Sequence, residues 1–283
     1  MSKPYALKAR KPYGKIVAAA VLGLVALMQI FPFYLQLITS FQPLDFYPEP
    51  GKIYFWPRGL HWKNYIEAIE RVELLQGVLN SVVVSGGFTL LSAATVLVVG
   101  YVLGKMRFRG RRIVMFALLV TMIVPGELLM VTNYQLVSEL NWTNSYAGLI
   151  LPGIVNITGI FLVMSFMNTI PDATLEAAEI DGISQAGKLV KIVLPMSAPV
   201  LATYIILTFV GQWNDYLWPM VIVNDRELFT VQLKLKEFNP YYEGYADEVL
   251  KCAAFVVTII PVLLVYICCQ DKFVSGLSLS GLK

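Results

Sequence analysis

The residues able to do chemistry are few and far apart. The chain has one histidine, His61, and three cysteines, Cys252, Cys268 and Cys269. None stands at a metal-ligand spacing, and neighbouring cysteines rarely bridge each other, so neither a metal centre nor a disulfide framework is indicated. Burial as small apolar side chains is the better reading for all three. Gly-Lys pairs begin at residues 14, 51, 104 and 187, but Ile, Ile, Met and Leu follow them, so the phosphate-binding pattern Gly-x-x-x-x-Gly-Lys-[Ser/Thr] is missing. Without His, Asp, Glu or Cys at acid–base spacing, a membrane enzyme has no site to use. An ion-driven secondary transporter needs ionisable groups near the bilayer midplane. The carboxylates on offer, Glu127 and Asp215, lie near the ends of apolar runs. Each can face a path or sit among lipid headgroups, and so can Asn214 beside Asp215.

The elements that must position these residues are membrane helices. The 283 residues are 57% hydrophobic and 14% charged, where a soluble domain carries about a quarter charged residues. The net charge of +3 is too small to point to nucleic acid. Six apolar runs, near 16–38, 78–103, 113–132, 147–167, 197–223 and 250–269, match the roughly 20 residues a span requires. Their interiors hold almost no formal charge, because a central Lys or Arg costs about 2.5–3.5 kcal/mol on insertion scales. Each must satisfy its own backbone hydrogen bonds, so each is a helix and the fold is all-α and polytopic. Pro32, Pro125 and Pro152 can each kink a helix, either to line a path or as tolerated bends.

Orientation follows the basic residues. Lys3, Lys8, Arg10, Lys11 and Lys15 precede the first run, and Lys105, Arg107, Arg109, Arg111 and Arg112 follow the second. The connection 133–146 has no Lys or Arg. The positive-inside rule places both termini in the cytoplasm, with 168–196 inside and 39–77 and 224–249 outside. The first run has no small-residue cleavage site after it and reads as an uncleaved span. Trp142, Trp213 and Trp218 fit an interfacial belt. The expected organisation is a basic segment 1–15, one membrane domain 16–277 and a tail 278–283.

The inner connection 168–196 is unlike a plain loop. Pro171 and Asp172 can start a helix with Asp172 as its N-cap, Ala173 to Ile180 are mostly good helix formers, and Gly182 can end it in the left-handed conformation. Ser184 can cap a second short helix that stops before Pro195. Two helical turns are unstable alone in water. The segment therefore needs either a partner protein or the membrane surface to lie on. Ala177 and Ala178 would let a partner backbone approach, and Glu176 and Glu179 would pair with its basic residues.

Glu176-Ala177-Ala178, then Gly182, then Ile192-x-Leu194-Pro195 resembles the Glu-Ala-Ala signature of permease subunits of ATP-binding-cassette importers. Asn80-Ser81, Lys105–Arg112, Met122-Ile-Val-Pro125, Trp213-Asn-Asp-Tyr-Leu-Trp-Pro219, and Gln270, Phe273 and Gly276 resemble the maltose-type carbohydrate permeases, in particular the smaller six-span subunit. The resemblance implies a type I importer permease fold in the bacterial cytoplasmic membrane. It implies a second permease as heterodimer partner, a separate ATPase dimer that binds ATP and Mg, and an extracellular or periplasmic solute-binding protein. No cofactor is expected on this chain. The resemblance assigns coupling to the ATPase to Glu176, Ala177, Ala178, Asp181, Gly182, Ile192, Leu194 and Pro195. It assigns the substrate path or binding-protein contact to Trp213, Asn214 and Asp215 and to the aromatics Phe238, Tyr241, Tyr242 and Tyr245. Those aromatics also suit a loop packed on itself. The tail Ser278-Leu-Ser-Gly-Leu-Lys283 departs from the family's Gly-rich finish. A sugar, oligosaccharide first, is the implied substrate, with glycerol-3-phosphate-type solutes or polyols as alternatives.

Overall fold

The computed structural model describes residues 13–49, 51–238 and 244–280, with side chains through Gln270. Helices dominate: α1 (Tyr13–Ser40), α2 (Lys63–Arg71), α3 (Leu74–Lys105), α4 (Arg111–Thr121), α5 (Gly126–Glu139), α6 (Tyr146–Ile150), α7 (Ile157–Met167), α8 (Asp172–Ile180), α9 (Gln185–Lys188), α10 (Leu194–Met196), α11 (Ala198–Trp213), α12 (Leu217–Ile222), α13 (Val231–Lys236) and α14 (Tyr245–Ser280). Three of these, α1, α3 and α14, are long and apolar enough to cross a membrane. Three bent pairs raise the number of spans to six if each pair is one crossing.

Of the three prolines expected to be able to kink a helix, Pro125 and Pro152 lie at or beside bends and Pro32 does not. Between α4 and α5 the axis turns by 100° at Pro125, which has no N–H to continue the helical ladder. A 48° turn separates α6, with its short 3-10 turn at Leu151–Gly153, from α7, and Pro152 lies in it. A 76° turn at Ser197 separates the α9–α10 stretch from α11. Pro32 sits inside α1 and Pro261 inside α14, where each helix is continuous. Proline identity alone therefore does not decide where a helix breaks.

The chain divides into two compact units. One holds residues up to Ala68 together with Phe238–Val256. Along most of α1 the apolar side chains are exposed, as for Leu22, Leu24, Leu27 and Met28, which fits a helix solvated by lipid. The segment after α1 folds back by polar contacts: the Asn64 amide donates to the carbonyls of Ser40 (2.8 Å) and Gln42 (2.9 Å). Phe46 is buried, edge-on to Tyr54 and Tyr245, with the Arg58 guanidinium 4.3 Å above its ring.

The other unit, Ile69–Glu237 with the stretch from Val257 on, is built around α3. Glycines let α7 come close. A Cβ on Gly100 would lie 2.8 Å from Val163, and one on Gly104 would lie 2.7 Å from Met167. Small residues four apart on a membrane helix permit this kind of backbone approach. Val96, Ile160, Val163, Met167, Val193 and Tyr204 form the core between α3, α7 and α11. The Tyr204 hydroxyl would lack a partner there without Ser92, whose hydroxyl is 2.6 Å away.

Candidate functional site

The connector between α7 and α11 is held on the end of α3. Lys105, the last residue of α3, donates from Nζ to the carbonyl of Ile170 and to Asp172 Oδ1, both at 2.6 Å. This corrects the capping expectation: Pro171 takes the N-cap position and Asp172 is the first helical residue, without a side-chain capping bond. The lysine beside Asp172 holds its carboxyl below the usual range, by hydrogen bond first and charge second. An acidic group in the first turn is also favoured by the helix dipole.

Helix α8 turns one stripe inward and another outward. Leu175 and Ala178 are buried, Leu175 within the core of Tyr101, Ile170 and Val193. Ala178 thus packs inside this chain, which corrects its expected role as an opening for a partner backbone. The outward stripe is Ala173, Ala177 and Ile180, spaced at i, i+4 and i+7. Ile180 is 87% exposed, unusual for a large apolar side chain on a connector. Glu176 is exposed beside this stripe and has no ion-pair partner among the described residues.

The end of α8 follows from Gly182. Its φ of 75° is the left-handed region, which costs an L-residue but not glycine. Asp181 is the C-cap. The Gly182 amide donates to Glu179 (3.0 Å) and the Ile183 amide to Ala178 (2.9 Å), the paired bonds of a Schellman ending. Ser184 then caps α9, accepting from Gly187 N at 3.2 Å. After the turn the chain brings Lys188 back to α8, where its ammonium donates to Glu179 Oε2 at 2.8 Å. Lys188 is 2% exposed while Glu179 is open to solvent. The Glu179 carboxyl is lowered by this hydrogen bond and charge, so Glu179 is already occupied within the chain and Glu176 is the free carboxylate of the pair. Gln185 adds a further tie, accepting from the Tyr101 hydroxyl at 3.0 Å.

The second helix does not stop before Pro195, as the sequence implies. A π turn over Leu189–Val193 widens the coil, and α10 carries Pro195 in its first turn, where the missing N–H is harmless. The amide of Ser197 closes the stretch on Val193 O at 2.8 Å. Ile192 is half-buried, whereas Leu194 and Pro195 are exposed.

The expected path residues separate. Trp213 is buried and stacks on Phe209 at 5.8 Å, so it serves the core and not a path. Asn214 turns its amide back to Val210 O (2.9 Å), while Asp215 is half-buried and accepts from Trp218 N at 3.4 Å. Phe238 is buried, and Tyr245 is half-buried with its ring against Phe46. Tyr241 and Tyr242 lie outside the described residues.

A second tied segment, residues 224–237, was not singled out by spacing. The Asn80 amide donates to the carbonyls of Glu227 (2.8 Å) and Phe229 (2.9 Å), and Ser81 Oγ accepts from Val231 N at 2.8 Å. Lys234, fully buried, reaches Glu73 Oε2 at 3.0 Å. Arg226 forks onto both oxygens of Glu237 at 2.9 Å. The Asn80-Ser81 pair was visible as a family marker; the partners of Lys234 and Arg226 were not visible at all.

The site is therefore a braced, exposed helix on the end of a core of apolar helices. Comparison with known proteins agrees with that picture. Residues 96–277 match the family model described as binding-protein-dependent transport system inner membrane component. The arabinooligosaccharides transport system permease protein AraQ of Halalkalibacterium halodurans is 32% identical over 262 residues, covering 92% of this chain and 93% of the relative. AraQ of Bacillus subtilis is 28% identical, with 92% of each chain covered. The sn-glycerol-3-phosphate transport system permease protein UgpE of Salmonella typhi is 32% identical over 200 residues, 71% of each. Among solved structures, a chain of a bacterial ABC transporter involved in the import of the acidic polysaccharide alginate superposes with a TM-score of 0.81 at 25% identity, covering 95% of this chain and 99% of that one. The chain belongs to the inner membrane components of binding-protein-dependent transport systems.

Proposed function

We propose that this chain is the smaller permease subunit of a carbohydrate importer and that α8 is the part gripped by a separate ATPase. The observation that carries the reading is the outward stripe Ala173, Ala177 and Ile180 beside the free Glu176, on a helix fixed at its start by Lys105 and at its end by Lys188. Rigid bracing matters because a helix that yields under load transmits nothing. ATP and Mg belong on the ATPase dimer. Closing that dimer would move α8 and bias the membrane helices between two packings. A second permease completes the path, and a solute-binding protein delivers the solute from outside. Both termini then lie in the cytoplasm.

An oligosaccharide is the leading substrate class, supported by the two AraQ relatives. A glycerol-3-phosphate-type solute is the second reading, from the similarity to UgpE. The docking reading is tested in the assembled importer with Ala177→Cys. Cross-linking to the ATPase subunit that changes on ATP addition is the expected result. In sealed cells, reaction of that cysteine only with reagent applied from outside would overturn both the orientation and the docking role.

A further inference from the structure

A cavity of about 140 Å³ opens among α3, α5, the turn before α7, α11 and α12. Its chemistry is carried by Phe88, Asn133, Gln212, Asp215 and Trp218. We propose that it is a subsite for one neutral sugar ring, and that Asp215 makes this subunit select against substrates bearing phosphate or carboxylate. The proposal rests on the carbohydrate-importer reading and names a substrate class within it.

The lining supplies what a sugar ring requires. Phe88 and Trp218 offer apolar aromatic surface for the C–H face of a ring. Both are held in place. The Trp218 indole donates to Gly148 O at 3.0 Å. Phe88 is buried, and its ring occupies space that any side chain at Gly153 would take, since a Cβ there would lie 2.8 Å from it. The polar edge of a sugar needs donors and acceptors in alternation. The Asn133 and Gln212 amides supply both kinds and have no hydrogen-bond partner among the described residues. The Asp215 carboxylate accepts from the backbone N–H groups of Trp218 (3.4 Å) and Leu217, and its remaining lone pairs suit a hydroxyl. The volume is roughly that of five waters, the space of one ring and not of a whole oligosaccharide.

Charge sets the selectivity. No Lys or Arg lines the cavity. Lys236 lies over the Tyr216 ring at 4.7 Å and is not among the lining residues. A phosphate or uronate placed beside Asp215 would meet a like charge with no compensating cation, whereas a hydroxyl would meet an acceptor. This separates the chain from the phosphate and acidic-polysaccharide substrates named for some of its relatives.

The test uses the full importer, with both permeases and the ATPase, in nanodiscs without binding protein. The probes are a diazirine-bearing neutral arabinotriose, and, as competitors, unlabelled arabinotriose, maltotriose, trigalacturonate and glycerol-3-phosphate. Photolabelling on peptides carrying Asn133, Gln212 or Asp215, blocked by a neutral trisaccharide and not by the two anions, is the expected result. Asp215→Asn should lower neutral labelling at least tenfold and let trigalacturonate compete. Equal competition by the anions against the unmodified complex overturns the selectivity. Labelling confined to the other permease, while binding-protein-dependent sugar uptake persists, overturns the subsite but leaves the carbohydrate reading intact. Uptake of glycerol-3-phosphate with no sugar uptake sinks the carbohydrate reading itself. If Asp215→Asn does not assemble, Asn133→Leu reports instead: lost labelling supports the subsite and unchanged labelling overturns it.

Discussion

Replacing Gly182 by alanine isolates the backbone contribution to the coupling turn. Nothing lies within 4 Å of the added Cβ, so no clash contributes. What remains is the penalty of holding an L-residue at φ 75°, about 1–2 kcal/mol. That corresponds to a roughly fivefold to thirtyfold shift in the ratio of turned to unturned connector. Two amides report it directly, Gly182 bonded to Glu179 and Ile183 bonded to Ala178. Hydrogen exchange of the 175–190 peptide in the assembled complex should accelerate by up to that factor in Gly182→Ala. Gly182→Asn should fall between, because asparagine tolerates the left-handed region. ATP-driven uptake should follow the same order, with ATP hydrolysis less affected. Equal exchange and equal uptake for glycine, asparagine and alanine would refute the reasoning, since the turn would then not depend on that backbone conformation.

Glu176→Lys should uncouple ATP hydrolysis from uptake, because it reverses the charge of the free carboxylate on the outward face; normal uptake per ATP would count against docking there. The brace is asymmetric: Glu179→Ala strands an ammonium on a residue only 2% exposed, whereas Lys188→Met keeps the stem and returns the carboxylate to water. Thermal unfolding of the complex should therefore be lowered more by Glu179→Ala, and the opposite order would contradict the geometry. Asp172 and Glu179 both titrate below their ordinary values of 3.8 and 4.5 through their lysine partners. Their contribution is present above those values and is lost as pH falls through the lowered ones. Exchange protection of the connector, corrected for intrinsic rates, should stay flat between about pH 5 and 8 and fall only in stronger acid; a loss near neutrality would show that another group titrates.

The spans were legible because charge is expensive in lipid, and a run without it declares itself. Their bends were not. Pro125 stands at a 100° turn while Pro32 and Pro261 lie in continuous helices, so a proline in the sequence does not by itself place a bend. Gly182 was legible from its position after a helix-forming stretch, since few residues end a helix in that way. Asp172 is not the N-cap and instead pairs with Lys105, 67 positions away, a partner that local spacing cannot reveal. Lys188 and Lys234 were missed for a related reason. A lysine reads as surface in a sequence, and only the fold brings Glu179 and Glu73 to each and buries its stem. Trp213, assigned to a path by resemblance, proves to be core.

Helix α3 is clamped at both extremities: Asn80, Ser81 and Glu73 near its beginning hold residues 227–234, and Lys105 at its finish holds the start of α8. Its 32 residues make a strut about 48 Å long at 1.5 Å per residue. Leaning such a strut by about 10° displaces one tip relative to the other by roughly 8 Å. A lean of that size begun at α8 would reach the 227–234 segment through one continuous helix.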